Sequence, residues 1–239
     1  MTAHETPGED PVEVGHLRAD LGRRSVRGGL YGLASRLVRT GVQIASMAVL
    51  ARLLTPEEFG LFAWVTAATA FLGLMSDFGL SPATVQRETL TREQADGLFW
   101  INAALGGALA LAMTAMGPVL AWAFDKPEVP ALAAALAPNL LLGGVTVQHL
   151  AILQRRMRFG KLAWIETAAL VAAIAASIGT AWAGWGVWAL VARSLVESAG
   201  RLAGAWWLTG WRPGRPRRRI GMWSLVVQGG WLSAFGFLT

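Results

Sequence analysis

Cysteine is absent from the 239 residues. Disulfides and thiolate metal sites are therefore excluded. Histidine is scarce as well. His4, His16 and His149 show no metal-ligand spacing among them. No Walker motif is present, which leaves no ATP site, and no catalytic motif stands out. The expectation is a chain that is not an enzyme and holds no metal or cofactor. The opening residues "MTAHETPGEDPVEV" are acidic and lack an apolar core, so they do not read as a signal peptide. The first membrane span is then expected to stay as an anchor.

Charge is the scarcest property. Only 15% of residues are Asp, Glu, Lys or Arg, against about 25% in soluble domains. The charges that exist are unevenly placed. Gly97–Phe124, Val129–Gln154, Thr167–Ala192 and Ile220–Thr239 contain none, and Phe59–Ser76 is a fifth, shorter run. About 20 apolar residues at 1.5 Å rise cross a hydrocarbon core of about 30 Å. One such run could be a buried core helix, but five in one chain point to a membrane. Barrel strands would be about 10 residues long with alternating polarity. Lipid offers no partner for backbone polar groups, so these runs must be helices.

The fold class expected is therefore an all-α polytopic membrane protein. The spans read as Leu30–Leu54, Phe59–Leu80, Leu98–Phe124, Val129–Leu153, Leu162–Ala183 and Val187–Thr209. A seventh starts near Ile220 and stops with the chain at Thr239. The organisation is a polar tail (1–29), a six-span lobe (30–209), a basic loop (210–219) and a truncated seventh span (220–239). The first part of the tail, to about Gly15, has the composition of a disordered segment. "HLRADLGRRSVRGG" could lie as a short amphipathic helix at the membrane surface.

Orientation follows from arginine and lysine, which favour cytoplasmic loops. Fifteen lie on one side. They are Arg18, Arg23, Arg24 and Arg27 in the tail, Arg87 and Arg92, then Arg155, Arg156, Arg158 and Lys161, then Arg212, Arg215, Arg217, Arg218 and Arg219. The opposite loops hold one, Lys126. The N-terminus is expected in the cytoplasm and "TPEEFG" outside. In that turn Thr55 reads as an N-cap with Pro56 at N1. Glu57 and Glu58 favour the helix dipole. The net charge of +6 does not argue for nucleic acid, because the clusters sit where topology puts them. Trp100, Trp122, Trp164, Trp185, Trp188, Trp206, Trp207 and Trp211 fall near span ends, as an aromatic belt would.

Some charges lie inside the spans. Arg36 and Arg39 are about 9 and 13 Å along the first span from Leu30, and Gln43 continues their face. Such residues face a bundle interior or an aqueous cavity, or they snorkel to headgroups. Arg39 fits a cavity better than Arg36, and Arg52, near the other end, snorkels or meets Glu57 or Glu58. In the sixth span Arg193, Glu197 and Arg201 are spaced by four. They read either as an internally paired ladder or as a coupling carboxylate in a cation-lined cavity. Glu166 is expected to pair with a loop arginine. Asp77 could cap the second span or pair with Arg87. Pro138–Asn139 reads as a tolerated kink in the fourth span. "GRLAG", with Gly200 and Gly204, is a small-xxx-small packing motif.

"ARLLTPEEFGLFAW" between the first two spans, "DFGLSPATVQRE" after the second, and "GWGVWALVARSLVES" between the fifth and sixth resemble bacterial polysaccharide flippases. These are the O-antigen and exopolysaccharide translocases of the multidrug/oligosaccharidyl-lipid/polysaccharide exporter superfamily. The resemblance covers about residues 20–239. It implies two six-helix lobes around a central cavity, in the bacterial plasma (inner) membrane. The implied substrate is an undecaprenyl-diphosphate-linked oligosaccharide, moved from the inner to the outer leaflet. Members of the family have about twice this length. The chain then reads as a fragment of a 12–14-span transporter, or as a lobe that a partner completes. Implied partners are membrane lipid, the lipid-linked oligosaccharide, and a polysaccharide polymerase or glycosyltransferase complex, with no nucleic acid. Guanidinium groups bind phosphate bidentately, so Arg36, Arg39 and Gln43 are the expected diphosphate contacts. A drug/cation antiporter of the same superfamily, or a non-transporting assembly factor for polysaccharide synthesis, are the alternatives. The antiporter would favour carboxylates over the arginines present.

Overall fold

A computed structural model describes residues 37, 39–76 and 91–215. Arg36, Asp77, Arg87, the expected N-terminal surface helix and the expected seventh span lie outside the described residues. The chain divides into two compact units, Met1–Ala45 and Ser46–Thr239. In the first unit residues 39–45 are helical. There Arg39 is half-buried and Gln43, one turn on, is exposed.

The second unit opens with the helical residues 46–53, here α1. Pro56 ends this helix, because it disfavours helical geometry at the residue before it and has no N–H to give. The break is capped at once. Glu58 N–H donates to Thr55 Oγ1 at 3.3 Å, and Thr55 N–H donates to Glu58 Oε2 at 2.7 Å. This reciprocal capping box starts α2, Pro56–Ser76, with Glu57 and Glu58 in its first turn. The N-cap expected at Thr55 is found.

The same device starts α3, Arg92–Phe124. Gln94 N–H donates to Thr91 Oγ1 at 3.3 Å, and Thr91 N–H donates to Gln94 Oε1 at 3.2 Å. The helix therefore begins six residues before the expected Leu98. At 33 residues it is about 50 Å long. It ends on Asp125 in the left-handed region, φ 54°.

The fourth expected span arrives as two helices, α4 (Val129–Leu136) and α5 (Pro138–Arg155). Ala137 between them keeps helical dihedrals, and its N–H still bonds Ala133 O at 2.9 Å. Pro138 removes one donor without turning the axis into a loop. The last two helices are α6 (Phe159–Trp182) and α7 (Trp188–Thr209). The turn between them needs Gly184 and Gly186, both at positive φ.

The described residues form no strand. α5 sits centrally, packed on α2, α3, α6 and α7, while α6 and α7 form the most extensive pair. The main core joins Val65 of α2, Met113 of α3, Leu132 and Leu136 of α4, and Val191 of α7. A second cluster ties Leu50 and Leu54 to Ala181 and Leu190, and a third joins Leu153, Ile165 and Ala205.

The outside of the bundle is apolar too. Trp122, Trp207, Trp182 and Leu111 are 86%, 81%, 79% and 74% exposed. A soluble surface would not carry so many large apolar groups. The exposed tryptophans cluster at helix ends, as at a membrane interface. Among the described residues three helical segments are long and apolar enough to cross a bilayer: Arg92–Phe124, Val129–Arg155 and Phe159–Trp182. The chain is an all-α membrane protein. The first and second spans expected, Leu30–Leu54 and Phe59–Leu80, run partly outside the described residues. α7 is long enough at 22 residues, but Arg193, Glu197 and Arg201 lower its hydropathy.

Candidate functional site

Close backbone contact brings the polar groups together. A Cβ on Gly106 would lie 2.6 Å from Leu140 O, and one on Gly144 would run into Asn102 O. α3 and α5 therefore meet along a seam where only glycine fits. On the other side of the bundle, a Cβ on Gly200 would lie 3.2 Å from Ala169 Cβ, and one on Gly204 3.2 Å from Ile165. The packing role expected for "GRLAG" is found, with α6 as the partner.

These seams leave a polar niche within apolar helices. A cavity of about 230 Å³ is lined by Asn102 of α3, Gly143, Gly144 and Thr146 of α5, and Ser198 and Arg201 of α7. Nearby, Asn139 Nδ2 donates to Ser194 Oγ at 3.0 Å and ties α5 to α7. Ser194, Ser198 and Arg201 fall at spacings of four and three, which places them on one face of α7. The sequence reading treated Pro138–Asn139 only as a kink. The polar Asn139 inside an apolar run was the signal for an interhelical hydrogen bond.

Arg193, Glu197 and Arg201 are all half-buried on α7. Arg201 has a partner on another helix. Its guanidinium Nη2 lies 3.6 Å from Glu166 Oε1 on α6. Glu166, expected to meet a loop arginine, thus reaches across the α6–α7 seam. The reason is geometric: Gly200 and Gly204 bring α6 so close that Glu166 comes within reach of Arg201. Arg201 Nε is buried, with no hydrogen-bond partner among the described residues.

Two larger cavities lie at opposite ends of the bundle. At the Thr55 end, about 550 Å³ is bounded by Glu57, Glu58, Trp64, Phe124 and Lys126. The Trp64 and Phe124 rings meet nearly at right angles, with centroids 3.9 Å apart. There Glu58 also faces Gly186, where any Cβ would strike its carboxylate. This contact links "TPEEFG" to "GWG". Arg52 is exposed at the same end. At the Thr91 end, about 700 Å³ is lined by Arg92, Arg155, Arg156 and Arg212, with Thr91 and Trp211 beside them. Sequence reasoning assigned these arginines to three separate loops. Their convergence on one cavity is a product of the fold.

His149, among the most buried side chains, stacks on Trp206 at 4.8 Å and meets Phe99 and Trp211 edge-on. It belongs to an aromatic cluster. Arg39 and Gln43 lie in the first unit and Arg36 outside the described residues, so the expected diphosphate contacts are not seen assembled.

The family model described as "Polysaccharide biosynthesis protein" matches residues 49–239. The chain belongs to this polysaccharide biosynthesis family. The resemblance read from the sequence is borne out. The chain is 25% identical over 165 residues to lipopolysaccharide biosynthesis protein WzxC of Escherichia coli (strain K12), covering 67% of this chain and 33% of that protein. It is 30% identical over 186 residues to succinoglycan biosynthesis transport protein ExoT of Rhizobium meliloti (strain 1021), covering 77% and 37%. Teichuronic acid biosynthesis protein TuaB of Bacillus subtilis (strain 168) is 28% identical over 144 residues, covering 60% and 30%. The matched segments cover about a third of the length of these relatives. No solved structure matches it.

Proposed function

We propose that this chain is the N-terminal lobe of a transporter for a lipid-linked oligosaccharide. The substrate is of the undecaprenyl-diphosphate-sugar class, carried from the inner to the outer leaflet of the bacterial plasma membrane. The observation that carries this reading is the family match over residues 49–239. A relative named as a transport protein of polysaccharide biosynthesis supports it. In this reading residues 30–209 form a six-span lobe with the N-terminus in the cytoplasm, supported by the one-sided placement of Arg and Lys. The protein moves its substrate without chemical change. Its partners are membrane lipid and a polymerase or glycosyltransferase complex.

The arginines fit an anionic lipid diphosphate. Spaced by three and four, Arg36, Arg39 and Gln43 would share one face of a helical first span and contact the diphosphate on loading. Arg193, Glu197 and Arg201 supply fixed or coupling charges deeper in the bundle. The test is deletion of the gene in its own bacterium, with surface polysaccharide as the readout. Loss that a plasmid copy restores is the expected result. Normal surface polysaccharide in the deletion strain would overturn the reading.

A further inference from the structure

The cavity at the Thr91 end brings together charges from three distant parts of the chain. Arg92 comes from the first turn of α3, Arg155 and Arg156 from the end of α5, and Arg212 from the segment after α7. Among the described residues that line the cavity none is a carboxylate. Membrane topology alone accounts for arginines at this end of the bundle. It does not require that three loops aim theirs into one space of about 700 Å³.

The cavity is also held in shape. Trp100 Nε1–H donates to Gly214 O at 2.8 Å, which ties the segment carrying Arg212 to α3. A Cβ on Gly214 would lie 2.5 Å from Asp96 Oδ2, so the segment lies directly against that helix. Thr209 Oγ1–H donates to Ala205 O, and Gly210 closes α7 at φ 63°. Arg212 is thereby returned towards Arg92. The positive end of the α3 dipole points the same way.

We propose that this cavity binds the phosphate of an anionic membrane-lipid headgroup. Guanidinium groups pair with phosphate oxygens two at a time and are weakly hydrated, which suits a half-wet site. Basic pockets between transmembrane helices take anionic lipid headgroups by this chemistry. The space is of ligand-site size and exceeds what one inorganic phosphate fills. Half-buried Trp211 on its wall and exposed Trp100, Trp206 and Trp207 nearby set the depth of a membrane interface. A lipid phosphate lies at that depth. The site involves no residue of the first unit, and it does not depend on the transport reading, because binding alone is measured.

The experiment is native mass spectrometry of the purified full chain in detergent, titrated with phosphatidylglycerol and with phosphatidylcholine. The cavity variant is Arg92→Gln with Arg156→Gln. The control is Arg52→Gln with Arg158→Gln, which removes two charges that do not line the cavity. Expected is preferential phosphatidylglycerol binding, weakened roughly 10- to 30-fold in the cavity variant and unchanged in the control. Should the double variant fail to fold, Arg212→Gln reads the same site with one charge removed. Equal loss in cavity and control variants, or no loss in either, would overturn the site. Inorganic phosphate binding as tightly as phosphatidylglycerol, and lost in the cavity variant, would overturn the lipid as its source.

Discussion

Arg201 on α7 and Glu166 on α6 form an ion pair at 3.6 Å, with side chains 38% and 34% exposed. The pair crosses the seam that Gly200 and Gly204 keep tight. With this much exposure the pair contributes on the order of 1 kcal/mol. Glu166→Gln and Arg201→Gln should each lower the melting midpoint in detergent by roughly 2–4 °C. The double variant should melt above the sum of the two losses, because neither charge is left alone. Strict additivity would mean that the two groups do not interact.

The glycine seams give a sharper contrast. Gly144→Ala places a methyl group on the Asn102 carbonyl, while Gly143 next to it has nothing within 4 Å. Gly144→Ala should cost about 1–3 kcal/mol, as overpacking does. Gly143→Ala should be neutral or slightly stabilising, since alanine favours helix. Gly204→Leu should reduce folded yield by pushing α7 off Ile165. Equal melting of the two alanine variants would show that α3 and α5 do not meet along this seam.

Orientation is checked with reporter fusions. Fusions at Lys126 and Trp185 should report the outside, and those at Arg158 and Arg217 the cytoplasm. On the proposed six-span arrangement fifteen basic residues would fall on one side and Lys126 on the other. A cytoplasmic signal at Lys126 would invert the bundle.

Much of this was legible in the sequence, and the reasons differ by element. Thr55, Pro56 and Glu58 are local: a cap, a breaker and a capping carboxylate within four residues leave little choice. Gly200 and Gly204 announced a packing face, although only the structure names Ile165 and Ala169 beneath it. Hydrophobicity places a span from Leu98, while the capping pair Thr91 and Gln94 starts the helix itself at Arg92. The Glu166–Arg201 pair and the four-arginine cavity were out of reach. Each joins residues far apart in the chain, and no spacing rule encodes which loops converge. The same holds for Asn139 and Ser194, 55 residues apart.

Arg39 tests the loading step. Arg39→Lys keeps the charge but loses the planar fork, and should impair polysaccharide export in part. Arg39→Ala should impair it more, with Arg36→Ala between the two. All three proteins should still insert, because removing an intramembrane charge lowers the insertion cost. Surface polysaccharide and membrane protein level are measured together. Normal export from Arg39→Ala at normal level would leave Arg39 as a snorkelling residue.

Translocation itself is read most directly from where the lipid-linked oligosaccharide accumulates. The substrate is labelled in cells lacking the gene, and its exposure on each leaflet of the plasma membrane is measured with a membrane-impermeant reagent. The expected result is accumulation on the inner leaflet, relieved by a restored copy of the gene. An unchanged distribution between leaflets in the deletion strain would contradict a role in moving this lipid.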